Sequence, residues 1–377
     1  MRILTVAEDL SPPIDEGMKK TAWNVIRAWE GGHQVVCITR SQPAEARPNF
    51  RVIPLDKFFR HPRLGRIIRE SRPEVVFYFP EASATRNSFW RAHRLRRLAG
   101  VPVCMVGLQP RHYGILDCFV VRRWAPDVLA VLSSSYAARL ETLCRSVETL
   151  PPGVDLERFR PAAIDRKQEL RERLLRGWPP PPSPLPPAGG TSGCAGVRAH
   201  RPIALHVGHI KPNRNLGDLL ALARSGRARV VMVGSTSTRV DDGVRRDLEQ
   251  AGVMVVAEYV PAIEEIYQAA DVYVFPVVET DAAMDVPLSI LEAMACNLPV
   301  VTRKFGGIED WLPESADFKY YGDPGQLPDL VEELLAGETH TCLSAEQFSW
   351  SRMAERLLEV VARSGSPIPE ESANGHV

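Results

Sequence analysis

A single carboxylate, Glu292, lies within the apolar stretch PLSILEAMACNLPVV, which runs from Pro287 to Val301. No Lys or Arg stands three or four residues away, where a helix would bring it alongside. A carboxylate in such surroundings must find hydrogen-bond donors or lose its charge. The two hydroxyls of a ribose could both donate to it. An ion pair with a distant arginine is the structural alternative, and on these residues alone it is the commoner one.

The residues before Glu292 suggest an anion site. Pro287 suits the first turn of a helix, and the residues that follow are apolar on nearly every side, so this helix should be buried. Its first amides, near Leu288, would point into a cleft and could hold an anion. Glu292 lies on the same helix face as Leu288 and Ser289. A ribose and a phosphate could therefore be bound by one helix.

A second candidate is the basic loop in LHVGHIKPNRNLGDLLALA. A strand ends at Gly208, the loop carries His209, Lys211 and Arg214, and a helix follows with Asn215 as its predicted N-cap. Cationic side chains beside exposed helix N–H groups are suited to binding phosphate. A solvated basic loop accounts for the same residues equally well.

The third candidate is Gly17, which follows a predicted first strand and a Pro-bearing loop and precedes a helix. Glycine there would let a ligand approach the backbone, although an ordinary helix start is an equal explanation. None of the three junctions carries GxGxxG, which disfavours a nicotinamide or flavin dinucleotide enzyme. Asp241 and Asp242 precede a helix and are better explained as caps than as metal ligands, so no metal site is predicted.

The elements that would position these residues alternate between short β-branched strands and helices, which is typical of parallel α/β layers. One series fills the first half of the chain, with helices predicted near 17–30, 62–71, 86–99 and 135–145. A second series begins at IALHVGHI, residues 203–210. We therefore predict two Rossmann-like, doubly wound domains facing each other across a cleft. Ligands in such sheets bind beyond the carboxyl ends of the strands, where all three candidates lie.

Composition supports this division. The 377 residues are 45% hydrophobic and 24% charged, which is ordinary for a globular protein. Residues 1–160 carry a formal charge of +9 and the remainder −9, so the halves differ electrostatically. Seven scattered cysteines without a CxxC pair favour a reducing cytoplasm, and no apolar run is long enough to cross a bilayer.

The predicted segments are an N-terminal domain (1–160), a C-terminal domain (161–349), a hinge (150–161), a Pro/Gly-rich insertion (177–199), a final helix (350–363) and a disordered tail (364–377).

Several motifs occur in an order that resembles the family-4 glycosyltransferases (glycosyl transferases group 1) of the GT-B fold. They are EGMKKTAWNVIRAW, LPPGVDLERFRP, LHVGHIKPNRN, AADVYVFPVVE, PLSILEAMACNLPVVTRKFGGIEDWL and FSWSRMAERLLEVV. The resemblance covers most of the chain and excludes the insertion and the tail.

The resemblance implies a role for each candidate. Glu292 would bind the ribose of a nucleotide sugar, and His209 and Arg214 would grip its diphosphate. Gly17 would lie near the donor phosphate, and the backbone around Val260 beside the base. The helix amides near Pro287 and Leu288 would contact the phosphate. The final helix, residues 350–363, would cross back to the N-terminal domain.

The chain departs from the family at the sugar. Where the family commonly has a second glutamate, this chain has Met284. Asp285 is the nearest acid and the predicted replacement, with Glu279 and Asp281 as other candidates. His209 stands where the family usually has arginine. The polar residue that the N-terminal domain contributes near the sugar would be His112, with Gln109 as the alternative.

We therefore expect a metal-independent, anomer-retaining transfer of a sugar from a nucleotide diphosphate sugar to an acceptor hydroxyl, with no cofactor. The acceptor could be a glycan, a lipid or a small molecule, and no nucleic-acid partner is expected. Arginines with aromatic residues in 57–72 and 86–100 could touch an anionic membrane, which would make the protein peripheral at the inner membrane face, although solvated helix faces are the commoner explanation. Two rivals stay open: a non-catalytic sugar-nucleotide-binding scaffold, suggested by Met284 and His209, and a nucleotide-sugar epimerase.

Overall fold

The computed structural model describes residues 1–43, 45, 47–176, 201–279 and 283–364. The insertion predicted at 177–199 lies outside this part of the chain, as do Asp281 and all of the predicted tail except Ser364. The described residues form two parallel sheets, each covered by helices on both faces. The predicted fold class of two Rossmann-like domains is thereby confirmed.

The N-terminal sheet has seven parallel strands in the order β3-β2-β1-β4-β5-β6-β7. Its inner strands are buried along almost their whole length, which is why they are continuous apolar runs rather than alternating ones. The strands are β1 Arg2–Ala7, β2 Gln34–Thr39, β3 Phe50–Val52, β4 Val75–Phe79, β5 Val103–Gly107, β6 Val128–Val131 and β7 Val147–Thr149. The helices are α1 Gly17–Glu30, α2 Pro62–Ser71, α3 Arg86–Ala99, α4 Ile115–Trp124, α5 Ser134–Glu141 and, after the sheet, α6 Ile164–Leu175.

The C-terminal sheet has six parallel strands in the order β10-β9-β8-β11-β12-β13. The strands are β8 Ile203–Gly208, β9 Arg229–Gly234, β10 Met254–Val256, β11 Val272–Phe275, β12 Val300–Thr302 and β13 Phe318–Tyr320. The helices are α7 Gly217–Ser225, α8 Asp242–Gln250, α9 Ile263–Ala269, α10 Leu288–Ala295, α11 Ile308–Trp311, α12 Leu327–Ala336, α13 Thr341–Ala345 and α14 Trp350–Ser364. Turns of 3₁₀ helix occur at Pro212–Arg214, Pro324–Gln326 and Glu346–Phe348.

Each sheet reverses its winding beside its first strand. The first strand β1 lies between β2 and β4, and β8 lies between β9 and β11. A reversal of this kind leaves a crevice at the carboxyl ends of the two strands, where α/β proteins bind ligands. The loops that leave β1 and β8 are the ones that carry Gly17 and His209. The topology therefore brings the first and second sequence candidates towards one another.

The helices predicted at 17–30, 62–71 and 86–99 are present with these bounds. The helix predicted at 135–145 ends earlier, at Glu141. Sequence analysis missed α4 altogether. Its apolar residues Ile115, Leu116 and Phe119 point away from the core, so the helix lacks the buried apolar stripe by which such helices are recognised.

The chain crosses between the domains twice, and the two crossings lie side by side. The Val154 N–H donates to the Phe348 carbonyl at 2.7 Å. Gly153 is required at this point, because a Cβ there would lie 2.0 Å from the Trp350 ring. Beyond the second crossing α14 packs on α1, where the Trp29 indole N–H donates to the Ala354 carbonyl at 3.0 Å. The last helix thus belongs to the core of the N-terminal domain.

Candidate active site

A cleft of about 260 Å³ separates the two sheets, and both domains line it. Its walls come from the carboxyl ends of β1, β4 and β5 on one side and of β8, β9 and β11 on the other. A smaller cavity of about 80 Å³ adjoins it. Glu292 and Lys20 border both. The cleft lies where the topology leaves its crevices.

Glu292 is only 4% exposed, and both its oxygens have partners. Lys20, on α1 of the other domain, donates from Nζ to Oε1 at 2.6 Å. The Tyr267 hydroxyl donates to Oε2 at 3.0 Å. Burial and the neighbouring carboxylate raise the pKa of Tyr267 well above its ordinary value, so it stays a donor. The lone carboxylate is therefore paired by a lysine and a tyrosine rather than by an arginine, and it still borders the cleft.

Arg214 is a cation of the cleft that has no acidic partner among the described residues. It is 6% exposed, and it forms neither an ion pair nor a side-chain hydrogen bond with any residue in the described ranges. Burial lowers its pKa to about 10, which leaves it protonated at neutral pH. A buried cation without a partner is costly, so this guanidinium is suited to an anion that enters from the cleft.

His209 lies beside Arg214 on the cleft wall. Its Nδ1 is 2.9 Å from the Thr238 hydroxyl. Burial, followed by the positive charges of Arg214 and Lys211, lowers the pKa of His209 to about 4. The imidazole is therefore neutral at pH 7 and would meet a phosphate with a hydrogen bond rather than a charge.

A buried network holds the loop that carries Arg214. The Asp218 carboxylate, 3% exposed, accepts from Arg303 Nε at 2.8 Å, from the Tyr321 hydroxyl at 2.8 Å and from Asn215 Nδ2 at 3.0 Å. Asn215 also donates to the Pro276 carbonyl at 2.9 Å. The prediction that Asn215 is an N-cap is wrong. It has φ +50°, in the left-handed region that asparagine tolerates, and helix α7 begins two residues later.

The start of α10 forms another part of the C-terminal wall. Pro287 directly precedes the helix, and Leu288 and Ser289 in its first turn line the cleft together with Pro287. Gly17, the first residue of α1, lies across from them. A Cβ on Gly17 would lie 2.0 Å from Met284 Sδ, so the close approach that this glycine permits is filled by the methionine.

Asp285 does not line the cleft. Its carboxylate accepts from the Ser133 hydroxyl, its amide donates to the Leu108 carbonyl at 2.9 Å, and its carbonyl accepts from the Gly307 amide at 2.9 Å. It is 2% exposed, and burial raises its pKa. The structure thus places it in the contact between the domains, where it cannot touch a sugar in the cleft as it stands. The reason is that β5, β6 and the loop before α10 meet at this point.

The other predicted residues divide between the cleft and the surface. His112 is exposed, with Nδ1 3.2 Å from Arg139 Nη2, and lies outside the cleft lining, whereas its alternative Gln109 lines the cleft. Val260 lines the smaller cavity. Glu279 is exposed and borders neither cavity.

Sequence analysis missed three residues of the site: Lys20 and Glu16, which line the cleft, and Tyr267, which is buried behind Glu292. Lys20 and Tyr267 hold Glu292, as described above. The Glu16 carboxylate caps α1 by accepting from the Lys19 amide at 3.2 Å, and burial raises its pKa. The motif EGMKK contained two of these residues, but a charged residue at a helix start is usually solvated, so its type alone gave no signal.

Within the described ranges, no group of three or more His, Cys, Asp and Glu side chains is placed to hold a metal ion. Among the same residues, no helix combines the length and the apolar character needed to cross a membrane.

Residues 201–337 match the family described as glycosyl transferases group 1. Sulfoquinovosyl transferase SQD2 of Arabidopsis thaliana is 27% identical over 312 residues, which cover 76% of this chain and 54% of that protein. Anabaena HepE, solved with UDP, superposes with a TM-score of 0.72 at 12% identity, covering 96% of this chain and 100% of HepE. Residues 201–337 therefore resemble the glycosyl transferases of group 1, and the chain has the fold of the GT-B structures to which it is similar.

Two further comparisons are consistent with this family and with the GT-B fold. GDP-mannose-dependent alpha-mannosyltransferase of Mycobacterium tuberculosis is 26% identical over 326 residues, 78% of this chain and 74% of that protein. Sucrose-phosphate synthase of Thermosynechococcus elongatus has a TM-score of 0.69 at 17% identity, covering 96% of this chain and 98% of that structure. The chain spans little more than half the length of SQD2. The segment that matches the family model contains His209, Arg214, Val260 and Glu292 but not Gly17.

Proposed function

We propose that the protein transfers a sugar from a nucleotide diphosphate sugar to an acceptor hydroxyl. The observation that carries the proposal is Arg214, a buried guanidinium on the cleft wall without an acidic partner in the described ranges. Neutral His209 and the first amides of α10 border the same space. A diphosphate would satisfy all three at once.

The rest of the donor follows from this placement. With the diphosphate between Arg214 and the start of α10, the ribose lies at Glu292, which borders both the cleft and the smaller cavity. The base then enters the smaller cavity, where the backbone near Val260 faces it. The sugar extends the other way, towards Gly17, Met284 and the N-terminal wall. One nucleotide sugar thus spans the two cavities.

Departure of the nucleoside diphosphate develops negative charge on its outer phosphate. Arg214, His209 and the amides near Leu288 are held in place before the reaction, so they stabilise this charge without reorganising. Because these groups belong to the protein, the transfer is proposed to need no divalent cation. The product is proposed to keep the anomeric configuration of the donor. Closure of the domains would exclude water and favour transfer over hydrolysis.

The relatives support this class of donor. HepE was solved with UDP, and in another structure with UDP-glucose. The M. tuberculosis relative is named as GDP-mannose-dependent. The acceptor would enter from the N-terminal wall, where Gln109 and Glu16 border the cleft.

The test begins with a panel of nucleotide sugars and nucleoside diphosphates in a thermal-shift assay, followed by an assay of released nucleoside diphosphate with and without EDTA. We expect stabilisation by at least one nucleotide and release in the presence of acceptor. Binding without release would favour the scaffold, and an isomerised donor would favour the epimerase.

The matched variants are Arg214→Met and Arg224→Met. Arg224 is exposed on α7, in the same domain. Arg214→Met should weaken nucleotide binding by roughly tenfold or more, because charge-assisted hydrogen bonds contribute about 1.5–3 kcal/mol each. The lowered pKa of Arg214 means that burying its charged form at neutral pH costs folding free energy. Without donor, the unfolding free energy of Arg214→Met should therefore equal or exceed that of the wild type. Equal nucleotide affinity of Arg214→Met and wild type would refute the proposed site.

A further inference from the structure

Helix α4 exposes apolar side chains on the surface of the N-terminal domain. Ile115, Leu116 and Phe119 are 92%, 80% and 73% exposed. They lie at positions i, i+1 and i+4, so they share one face of the helix. The opposite side is the packed one: Val121 is fully buried, and the Trp124 ring packs edge-on against Trp90 at 4.7 Å. A surface helix normally keeps its large apolar side chains on the inward side alone.

Arginines border this apolar tip. Arg122 and Arg123 continue the same exposed face, and Arg97 is exposed on the neighbouring α3. None of these three forms an ion pair with an acid in the described ranges. Two acids of this region are already paired, Asp117 with Arg86 at 2.9 Å and Asp127 with Arg96 at 3.0 Å. The surface therefore carries excess positive charge.

The effect of this charge reaches a neighbouring histidine. After burial, the charges of Arg123, Arg97 and Arg96 lower the pKa of His93. The arginines thus act on one region of the surface rather than being scattered over it. This positive charge lies beside the apolar tip on the same domain, because α3 and α4 pack side by side.

We propose that this surface, formed by Ile115, Leu116 and Phe119 with Arg97, Arg122 and Arg123, docks on an anionic lipid bilayer. The three apolar side chains enter the boundary between headgroups and acyl chains, and the arginines contact the anionic headgroups. The docking does not depend on the proposed transfer. It would hold the cleft near the lipid, because α4 begins six residues after Gln109, which lines the cleft.

A second copy of the chain fits this surface less well. In a two-fold dimer the same patch meets itself, so Arg122 and Arg123 of one copy would face the arginines of the other. Three side chains also supply much less than the roughly 800 Å² per partner that a stable interface buries. An anionic bilayer offers the opposite charge and needs no shape complementarity.

The two stretches considered in the sequence fit this role poorly. In 57–72 the large apolar residues Phe59, Ile67 and Ile68 are buried, and in 86–100 Phe89 is buried. Arg91 in the second stretch is itself largely buried in an ion pair with Glu8, and only Arg97 of these two stretches belongs to the proposed surface. The exposed apolar residues that a membrane surface requires occur instead on α4.

The test is sedimentation with vesicles of phosphatidylcholine alone or mixed with phosphatidylglycerol, in the absence of any nucleotide. The wild type should bind the mixed vesicles, and less tightly as the salt concentration rises. The triple substitution Ile115→Ser, Leu116→Ser and Phe119→Ser should weaken binding by about tenfold or more. Arg122→Gln with Arg123→Gln should weaken it by roughly tenfold, mainly on the phosphatidylglycerol vesicles.

The matched control is Ile164→Ser with Leu343→Ser, since these residues are 87% and 62% exposed in the other half of the chain. Its vesicle binding should equal that of the wild type. All variants should bind nucleotide equally, which separates failure of this surface from failure of the proposed transfer. No wild-type binding to the mixed vesicles, or equal binding by the triple variant, would overturn the proposal. A wild-type dimer that the triple substitution converts to monomer would overturn it in favour of a second copy.

Discussion

Lys20 Nζ lies 2.6 Å from Glu292 Oε1, and this ion pair joins α1 of one domain to α10 of the other. Both side chains are largely buried. A second hydrogen bond crosses the same cleft, from the Thr236 hydroxyl to Asp15 Oδ2 at 2.8 Å. The lysine therefore occupies the carboxylate to which a ribose would bind, so donor binding and this domain contact compete for one group.

Replacing Lys20 with methionine separates these two roles. The buried Glu292 carboxylate loses its counter-charge, so the donor-free protein should lose about 1–3 kcal/mol of unfolding free energy. A nucleoside diphosphate should then raise the melting temperature of the variant more than that of the wild type, since the ribose no longer displaces a lysine. Lys19→Met is the control, because Lys19 pairs with Asp9 at 2.8 Å within one domain. A smaller nucleotide-induced shift in Lys20→Met than in the wild type would show that Lys20 itself holds the nucleotide.

The proposed ribose contact can be tested with a cycle that pairs a protein change with a ligand change. Glu292→Gln should weaken binding of the preferred nucleoside diphosphate by about tenfold, the cost of losing charge-assisted hydrogen bonds. The wild type should bind the 2′-deoxy nucleotide more weakly than the parent nucleotide by a similar factor. Glu292→Gln should bind the two nucleotides almost equally, because the protein change and the ligand change remove the same interaction. Additive losses, measured by calorimetry, would mean that Glu292 acts through Lys20 and Tyr267 instead of touching the ribose.

Much of the fold could be predicted because its signals are local. Buried parallel strands are apolar runs, and α1, α2 and α3 follow the helical period. The prediction failed where tertiary contacts override local pattern. Helix α4 hides no apolar stripe, and Asn215 adopts a left-handed turn instead of capping a helix.

Part of the candidate site could also be predicted from the sequence. His209, Arg214 and Glu292 come together because loops after parallel strands meet at one edge, a rule that needs no knowledge of packing. The pairing of Lys20 with Glu292 joins residues 272 positions apart, and the position of the Asp285 side chain depends on how the two domains pack against each other. Neither relationship has a signature in the order of residues.

Met284 and Gly17 form a testable contact at the sugar end of the cleft. In Gly17→Ala the new Cβ would meet Met284 Sδ, so the thioether must move into the cleft. We expect Gly17→Ala to weaken binding of the nucleotide sugar more than binding of the bare nucleotide. The variant should also lose roughly 1–3 kcal/mol of unfolding free energy. Adding Met284→Ala should restore both. Gly31→Ala at the other end of α1 is the control, since its Cβ would meet only the Ala28 carbonyl at 3.8 Å. A double variant no better than Gly17→Ala would refute this contact as the cause.

The pKa of His209 predicts how stability depends on pH. Its folded pKa of about 4 lies below the ordinary value of 6.5, because the site is buried and Arg214 and Lys211 are near. Between these values the unfolded chain binds a proton that the folded protein does not, so stability falls as the pH is lowered from 6.5 to 4. Asp15 opposes the shift only weakly.

His209→Gln removes this proton while its amide can keep the Thr238 hydrogen bond. Urea unfolding at neutral pH and near pH 4 should show that the variant loses about 2 kcal/mol less than the wild type on acidification. His206, whose pKa is lowered to about 3 by burial, is present in both proteins and cancels in the difference. The exposed His340, changed to Gln, should leave the wild-type pH dependence intact. Equal acid sensitivity of His209→Gln and wild type would mean that the imidazole is already solvated and charged in the folded cleft, and a neutral hydrogen bond to phosphate would then have no basis.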